Sequence, residues 1–322
     1  MIHSNSEGDI YIEEMPLLLV HLREEEKGAD ARLSEVLSYA LDGYAYETAM
    51  EISAFEDYVN RWRRLEKTQN RKNPVQGRIL FAVPLGTSGI NLELYRLIRF
   101  LREHPDFLNG FVGGLLVDSE NDLYSKSAAK DLVFAANCAG CAFVGRPLVE
   151  GTRTLSNYTI VSNNLGTDLM GAYRESAAGL VKEVLGTDCV RKKCPKVLVL
   201  HASSHKTSNT YAIWDRVKEQ LPEMEIREIG LRNGTLSDCA GCPYKMCLHF
   251  GEQGSCFYGG VMVEDVYPAV READAIVMLC PNYNDALSAN LTAFINRLTS
   301  LFRTTRFYDK ALFAVVVSGY SG

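Results

Sequence analysis

Lys196-Val197-Leu198-Val199-Leu200-His201-Ala202-Ser203-Ser204-His205-Lys206-Thr207-Ser208-Asn209-Thr210 is the stretch that decides how this chain is read. Residues 196–200 form a short apolar strand, and the small hydroxylated residues after it run into an amphipathic helix. Short side chains at a helix start offer hydroxyls and free backbone N–H groups at the positive end of the helix dipole, an arrangement suited to phosphate. About seventy residues further on the same arrangement recurs: an apolar strand at 275–280, then Pro281-Asn282-Tyr283-Asn284, then a helix over 288–297. In an open parallel α/β sheet both loops lie at the carboxyl ends of their strands, where ligands bind. The pair points to a flat, phosphorylated cofactor.

Outward from this stretch, strands at 196–200, 224–230, 274–280 and 311–317 alternate with helices at 208–221, 262–272 and 287–303. A cysteine-bearing insertion occupies 236–260. The pattern predicts βαβ units and a doubly wound parallel sheet. A five-stranded sheet of that kind still needs a helix, an edge strand and a last helix after Ser318-Gly319-Tyr320-Ser321-Gly322; because an unpaired strand is a pairing hazard, either the chain is a fragment, which is the expectation, or another element covers that edge. Upstream, strands at 78–84, 111–117 and 142–149 alternate with helices at 91–103, 123–138 and 167–185. This predicts a second α/β domain over residues 75–188, closed by a polar, basic boundary at 186–195. Residues 1–74 are expected to form a helical N-terminal segment, on the three- and four-residue spacing of Leu33, Val36, Leu37, Ala40 and Leu41, then Ala49, Ile52, Phe55, Tyr58 and Val59. Asp42-Gly43 breaks that pattern and Asn73-Pro74 ends it.

The chain has 322 residues, 47% of them hydrophobic, and a formal charge of −6, which argues against a nucleic-acid surface. No stretch approaches the roughly 18 apolar residues of a membrane span. The polar, acidic start lacks the basic flank and apolar core of a signal peptide, so a cytoplasmic chain is expected. Nine cysteines make an odd count for a disulfide framework and read as thiols or metal ligands.

The two loops resemble those of the flavodoxin-like NADPH-dependent FMN reductases, and in particular their iron–sulfur flavoprotein branch, over roughly residues 196–322. The family's first loop reads approximately Gly-Ser-Pro-Arg-Lys-x-Ser-Asn-Thr. Ser203, Lys206, Ser208, Asn209 and Thr210 match it, while Ala202, Ser204 and His205 replace glycine, proline and arginine. Without the arginine a bidentate phosphate partner is missing, and weaker binding is expected. The second pattern, Pro-x-Tyr followed by Ser-x-x-Leu-Lys-x-Phe-x-Asp-Arg, is matched at Pro281, Tyr283, Ser288, Leu291, Phe294 and Arg297, with Thr292 in place of lysine and Asn296 in place of aspartate. The resemblance implies FMN, with its phosphate at Ser203, His205, Lys206, Ser208, Asn209 and Thr210. Pro281, Asn282, Tyr283 and Asn284 would lie on one side of the ring, and Ser318, Gly319 and Tyr320 on the other. It further implies NADPH or NADH as co-substrate and pairing of copies into a homodimer. Residues 75–188 read as a degenerate flavodoxin-like duplicate, with Gly86-Thr87-Ser88-Gly89 where a phosphate loop would be but no Ser-Asn-Thr helix start.

Cys239, Cys242, Cys247 and Cys256 fall within the insertion. Thiolates at such spacing can wrap a four-iron cluster or a zinc ion, with free loop thiols as the third reading. The family's iron–sulfur branch carries its cluster cysteines here at a more compact spacing. Cys138 and Cys141 share the Cys-x-x-Cys spacing but sit at an apolar helix end and a strand start, as structural thiols do. The sequence therefore predicts an FMN-dependent oxidoreductase that takes hydride from NAD(P)H and passes electrons to a quinone, a cluster or another acceptor, with no side chain singled out as acid or base. The rival is a non-catalytic electron-transfer or metal-binding module.

Overall fold

The computed structural model describes residues 15–23, 27–69, 75–189, 192–203, 208–232 and 234–319. The chain divides into two compact units, Met1–Cys189 and Val190–Gly322, each with its own sheet.

The first unit runs β1 (Leu17–His21), α1 (Lys27–Ala40), β2 (Tyr46–Ala49), α2 (Ile52–Gln69), β3 (Gly77–Leu85), α3 (Leu92–Glu103), β4 (Phe111–Ser119), α4 (Ser125–Cys138), β5 (Ala142–Gly151), α5 (Thr159–Leu165) and α6 (Leu169–Gly186). Its sheet is parallel throughout, in the order β2-β1-β3-β4-β5. Alternate residues supply opposite faces. Leu18, Val20, Ile79 and Phe81 pack against α2, α3 and α4, while Leu17, Leu19, Leu80 and Ala82 pack against α1 and α6.

Two expectations are corrected here. The described residues of 1–74 are not a helical segment alone: they contribute β1 and β2 to the first sheet, between and beside helices whose apolar residues fall on the predicted faces. Strand β1 is central and buried on both sides, so Leu17-Leu18-Leu19-Val20 shows a continuous apolar run instead of strand alternation. Edge strand β2 has only four residues, with Ala49 alone buried. The flavodoxin-like domain therefore begins before residue 75 and has the full five-strand order. Gly86-Thr87-Ser88-Gly89 follows the third strand of the sheet in chain order, not the first, and so does not stand in the phosphate-loop position.

The second unit runs β6 (Lys196–His201), α7 (Asn209–Lys218), β7 (Glu225–Gly230), α8 (Tyr244–Glu252), α9 (Tyr267–Glu272), β8 (Ala275–Pro281), α10 (Ala289–Arg297), α11 (Thr299–Phe302) and β9 (Ala311–Val317). A π-helical turn, Met262–Val266, leads into α9. The sheet is parallel in the order β7-β6-β8-β9. Val197, Val199, Val277 and Leu279 face α7, and Leu198, Leu200, Ile276 and Cys280 face α9, α10 and α11. Strand β9 borders the described sheet, with Leu312, Phe313 and Val316 exposed. Among the described residues no helix is long and apolar enough to cross a membrane.

Candidate functional site

Strand order places the site. The chain leaves β6 toward β7 on one side and returns to β8 on the other, so a crevice opens between the carboxyl ends of β6 and β8. These strands are parallel and paired from Val197↔Ala275 to His201↔Leu279, and β9 continues the register to Pro281↔Val317. The loops after His201, Pro281 and Val317 therefore open at one edge of the sheet.

On the first side of the crevice, Ser208 is the N-cap of α7, its Oγ accepting from the Tyr211 N–H at 3.2 Å. The hydroxyl satisfies one first-turn donor, and a helix start leaves others for a ligand. Asn209 is exposed, Ser203 half-buried and Thr210 buried. His205 and Lys206 lie outside the described residues. His201, only 4% exposed, ties the loop together. Its Nδ1 lies 3.1 Å from the Ser203 carbonyl oxygen, which only accepts, so this nitrogen carries the proton. The ring also meets Tyr211 edge-on at 5.1 Å, so one side chain touches the loop near its start and the helix turn at its end. Tyr211 donates in turn to Glu228 on β7, which also accepts from Trp214 at 3.2 Å and Lys218 at 2.9 Å. Burial and the neighbouring Glu228 push the Tyr211 hydroxyl up to about 12. For Glu228 itself, burial pushes the carboxyl up, but the donors from Tyr211, Lys218 and Trp214 outweigh it and hold the group below the ordinary carboxylate range. Nothing in the sequence marks this chain of contacts, because its members are spread over β6, α7 and β7.

On the other side, the Asn282 N–H donates to the Val317 carbonyl at 2.8 Å, extending the ladder one residue past β8. The turn that follows is closed by reciprocal backbone bonds between Tyr283 and Ala286, both 3.1 Å. Asn284 and Asp285 occupy its centre at φ of 50° and 58°, a left-handed pair built without glycine. Tyr283 is 59% exposed, presenting its ring to solvent at the rim rather than packing it at the strand end. Ser318 and Gly319 follow β9 beside this turn, and Asn282 Nδ2 donates to Ser318 Oγ at 3.1 Å. Tyr320 lies outside the described residues. The structure thus brings Ser203, Ser208 and Asn209 to the same edge as Pro281, Asn282, Tyr283, Asn284, Ser318 and Gly319.

Helix α10 anchors the cysteine insertion. Asn296 donates to Asp238 at 2.9 Å, and the buried Arg297 donates to the Ser237 and Gly259 carbonyls at 3.4 Å and 2.8 Å. Cys239 and Cys242 precede α8, Cys247 lies within it, and Cys256 follows it. Cys242 adjoins Tyr258, whose hydroxyl is pushed up by burial and by the thiol; Cys256 adjoins Tyr267, raised by the same causes. The thiols do not form the expected cage: among the described residues no three His, Cys, Asp or Glu side chains converge to hold a metal ion. The donor set is present, but among the described residues its geometry does not fit a cluster or a zinc ion.

No curated protein matches the chain. Residues 195–322, which form the sheet and the crevice just described, match the model of the NADPH-dependent FMN reductase family, so the C-terminal α/β unit is similar to that family's flavodoxin-like domain, and the activity the family implies is NAD(P)H-dependent flavin reduction.

Proposed function

We propose that the C-terminal unit binds FMN across the β6–β8 crevice and works as an NAD(P)H-dependent oxidoreductase that delivers electrons to an external acceptor, a quinone being the class to test first. The observation that carries this reading is the opening of both motif loops at one edge of a parallel sheet, beside the strand-order reversal. In this reading Ser203, Ser208, Asn209 and Thr210, with His205 and Lys206, surround the phosphate. The start of α7 supplies backbone N–H groups and a favourable dipole there. Asn282, Tyr283 and Asn284 support the ring on one side, and Ser318, Gly319 and Tyr320 on the other. Bound FMN supplies the chemistry, accepting hydride from the nicotinamide and releasing electrons to the acceptor. The protein holds and orients, and the exposed Tyr283 leaves the rim open to a second substrate.

The test is a fluorescence titration of the purified chain with FMN, followed by NADPH and NADH oxidation with a quinone as acceptor. Saturable quenching with turnover by either nicotinamide is expected. FMN bound but inert to both would leave an electron carrier, and absence of FMN binding would overturn the reading altogether.

A further inference from the structure

The carboxamide of Asn282 is half committed. Its Nδ2 donates to Asp285 Oδ1 at 3.3 Å and to Ser318 Oγ at 3.1 Å. A carboxylate only accepts, so the nitrogen must face Asp285, and this fixes the orientation of the amide. The oxygen is left over. Oδ1 is buried and has no hydrogen-bond partner among the described residues. A buried acceptor without a donor is destabilising, and its persistence asks for a partner that arrives with a ligand.

The position of this oxygen says which ligand. It stands between the ends of β8 and β9, in the loop that closes the candidate ring site. The turn beyond it takes Asn284 and Asp285 through the left-handed region, which asparagine and aspartate enter more readily than other side chains, and brings the Asp285 carboxylate within 3.3 Å of the amide nitrogen. An oxidised isoalloxazine presents acceptors at N1, N5, O2 and O4 and a single ring donor, the imide N3–H. Within the ring an oxygen that only accepts can pair with that donor alone; the ribityl hydroxyls are the other donors FMN carries, and methylation at N3, which leaves them untouched, separates the two.

We propose that Asn282 Oδ1 accepts the hydrogen bond from the flavin imide N3–H, making Asn282 a specificity-determining residue that admits rings carrying a donor at this edge and rejects those without one. The inference rests on the FMN reading above. The physical basis is the asymmetry of buried polar sites, which discriminate strongly against analogues that leave their groups unpaired.

The experiment compares dissociation constants of FMN and N3-methyl-FMN for the full-length apoprotein and its Asn282→Leu variant, read by flavin fluorescence. Leucine keeps the volume and removes the acceptor. Wild type is expected to bind FMN about tenfold or more tightly than the methylated analogue, and the variant to bind the two almost equally. Loss of the amide's brace on Asp285 weakens both ligands alike, so the ratio isolates the imide contact. A wild-type ratio near one, or the same ratio in both proteins, overturns the assignment while leaving FMN binding intact. Failure of wild type to bind FMN at all overturns the FMN reading and this inference with it.

Discussion

Replacing His201 separates a loop-positioning role from plain packing. The side chain is 4% exposed, donates from Nδ1 to the Ser203 carbonyl at 3.1 Å and meets Tyr211 edge-on at 5.1 Å. His201→Leu removes a neutral hydrogen bond of about 1 kcal/mol and an aromatic contact of about 0.5–1.5 kcal/mol, together about 2 kcal/mol. If the whole loss falls on the conformation of the phosphate loop, FMN affinity drops about 30-fold. If it falls on the fold, the urea midpoint moves and the affinity of the remaining folded protein does not. His201→Asn keeps an N–H donor close to the Nδ1 position, so it is expected to recover the hydrogen-bond share and give an affinity between wild type and the leucine variant. The assay is an FMN fluorescence titration run beside urea unfolding of the apoprotein. Equal FMN affinity in all three proteins, with only the midpoint displaced, refutes the positioning role and returns His201 to the core.

Ser208→Ala removes the N-cap of α7 and is expected to lower stability by about 1 kcal/mol and to weaken FMN retention, measured by urea unfolding and by flavin titration. For Glu228 the sign follows from its lowered pKa: the stabilisation is present above the ordinary value of 4.5 and lost as pH falls through the folded value. The urea-midpoint gap between wild type and Glu228→Gln should therefore be wide at neutral pH and shrink in acid; a constant gap would remove the ionised carboxylate from the explanation. In the first unit Arg32 donates to the fully buried Asp118 through Nε at 3.0 Å and Nη2 at 2.6 Å. Arg32→Ala strands that carboxylate at a cost of about 3–5 kcal/mol, and adding Asp118→Leu is expected to return much of the lost urea stability; no recovery in the double variant would show that the charge was not the cause.

Where the sequence was legible, the reason was periodicity or a special residue at a boundary. The helices holding Leu33, Val36 and Leu37, and Phe55, Tyr58 and Val59, were readable because one face is buried. The loops after β6 and β8 were readable because hydroxyls, asparagine and proline mark strand ends. Strand β1 was not, since a central strand buried on both faces has no alternation to display. Strand β2 was hidden by its length and by the helical spacing on either side of it. At the site, Asn282 and Tyr283 could be named from the motif. That the Asn282 nitrogen is spent on Asp285 and Ser318 while the oxygen is not depends on a left-handed turn at Asn284 and Asp285, for which neither residue type is diagnostic. His201 was ambiguous because a buried histidine at a strand end looks the same in sequence whether it braces a loop or fills a core.

The two units share the first four strands of one topology, and comparing them explains why the flavin reading attaches to the second. In each, the connection from the first strand to the first helix is where an anion would meet the helix dipole. In the second unit that connection is Ala202-Ser203-Ser204-His205-Lys206-Thr207-Ser208, uncharged or basic throughout. In the first it is Leu22-Arg23-Glu24-Glu25-Glu26, whose three carboxylates oppose a phosphate dianion. A dipole contribution of about 0.3–1 kcal/mol is no larger than the repulsion of a single like-charge pair at about 4 Å in bulk water, about 1 kcal/mol, so a connection of this composition does not favour an anion. The carboxyl end of β4 in the first unit is also already filled, since Arg32 bonds Asp118, the Ser119 carbonyl and, from the same guanidinium, the Arg153 carbonyl. A sheet order can thus be kept while its carboxyl edge is rebuilt around an internal ion pair, and the two units differ both in the charge of that short connection and in this pair.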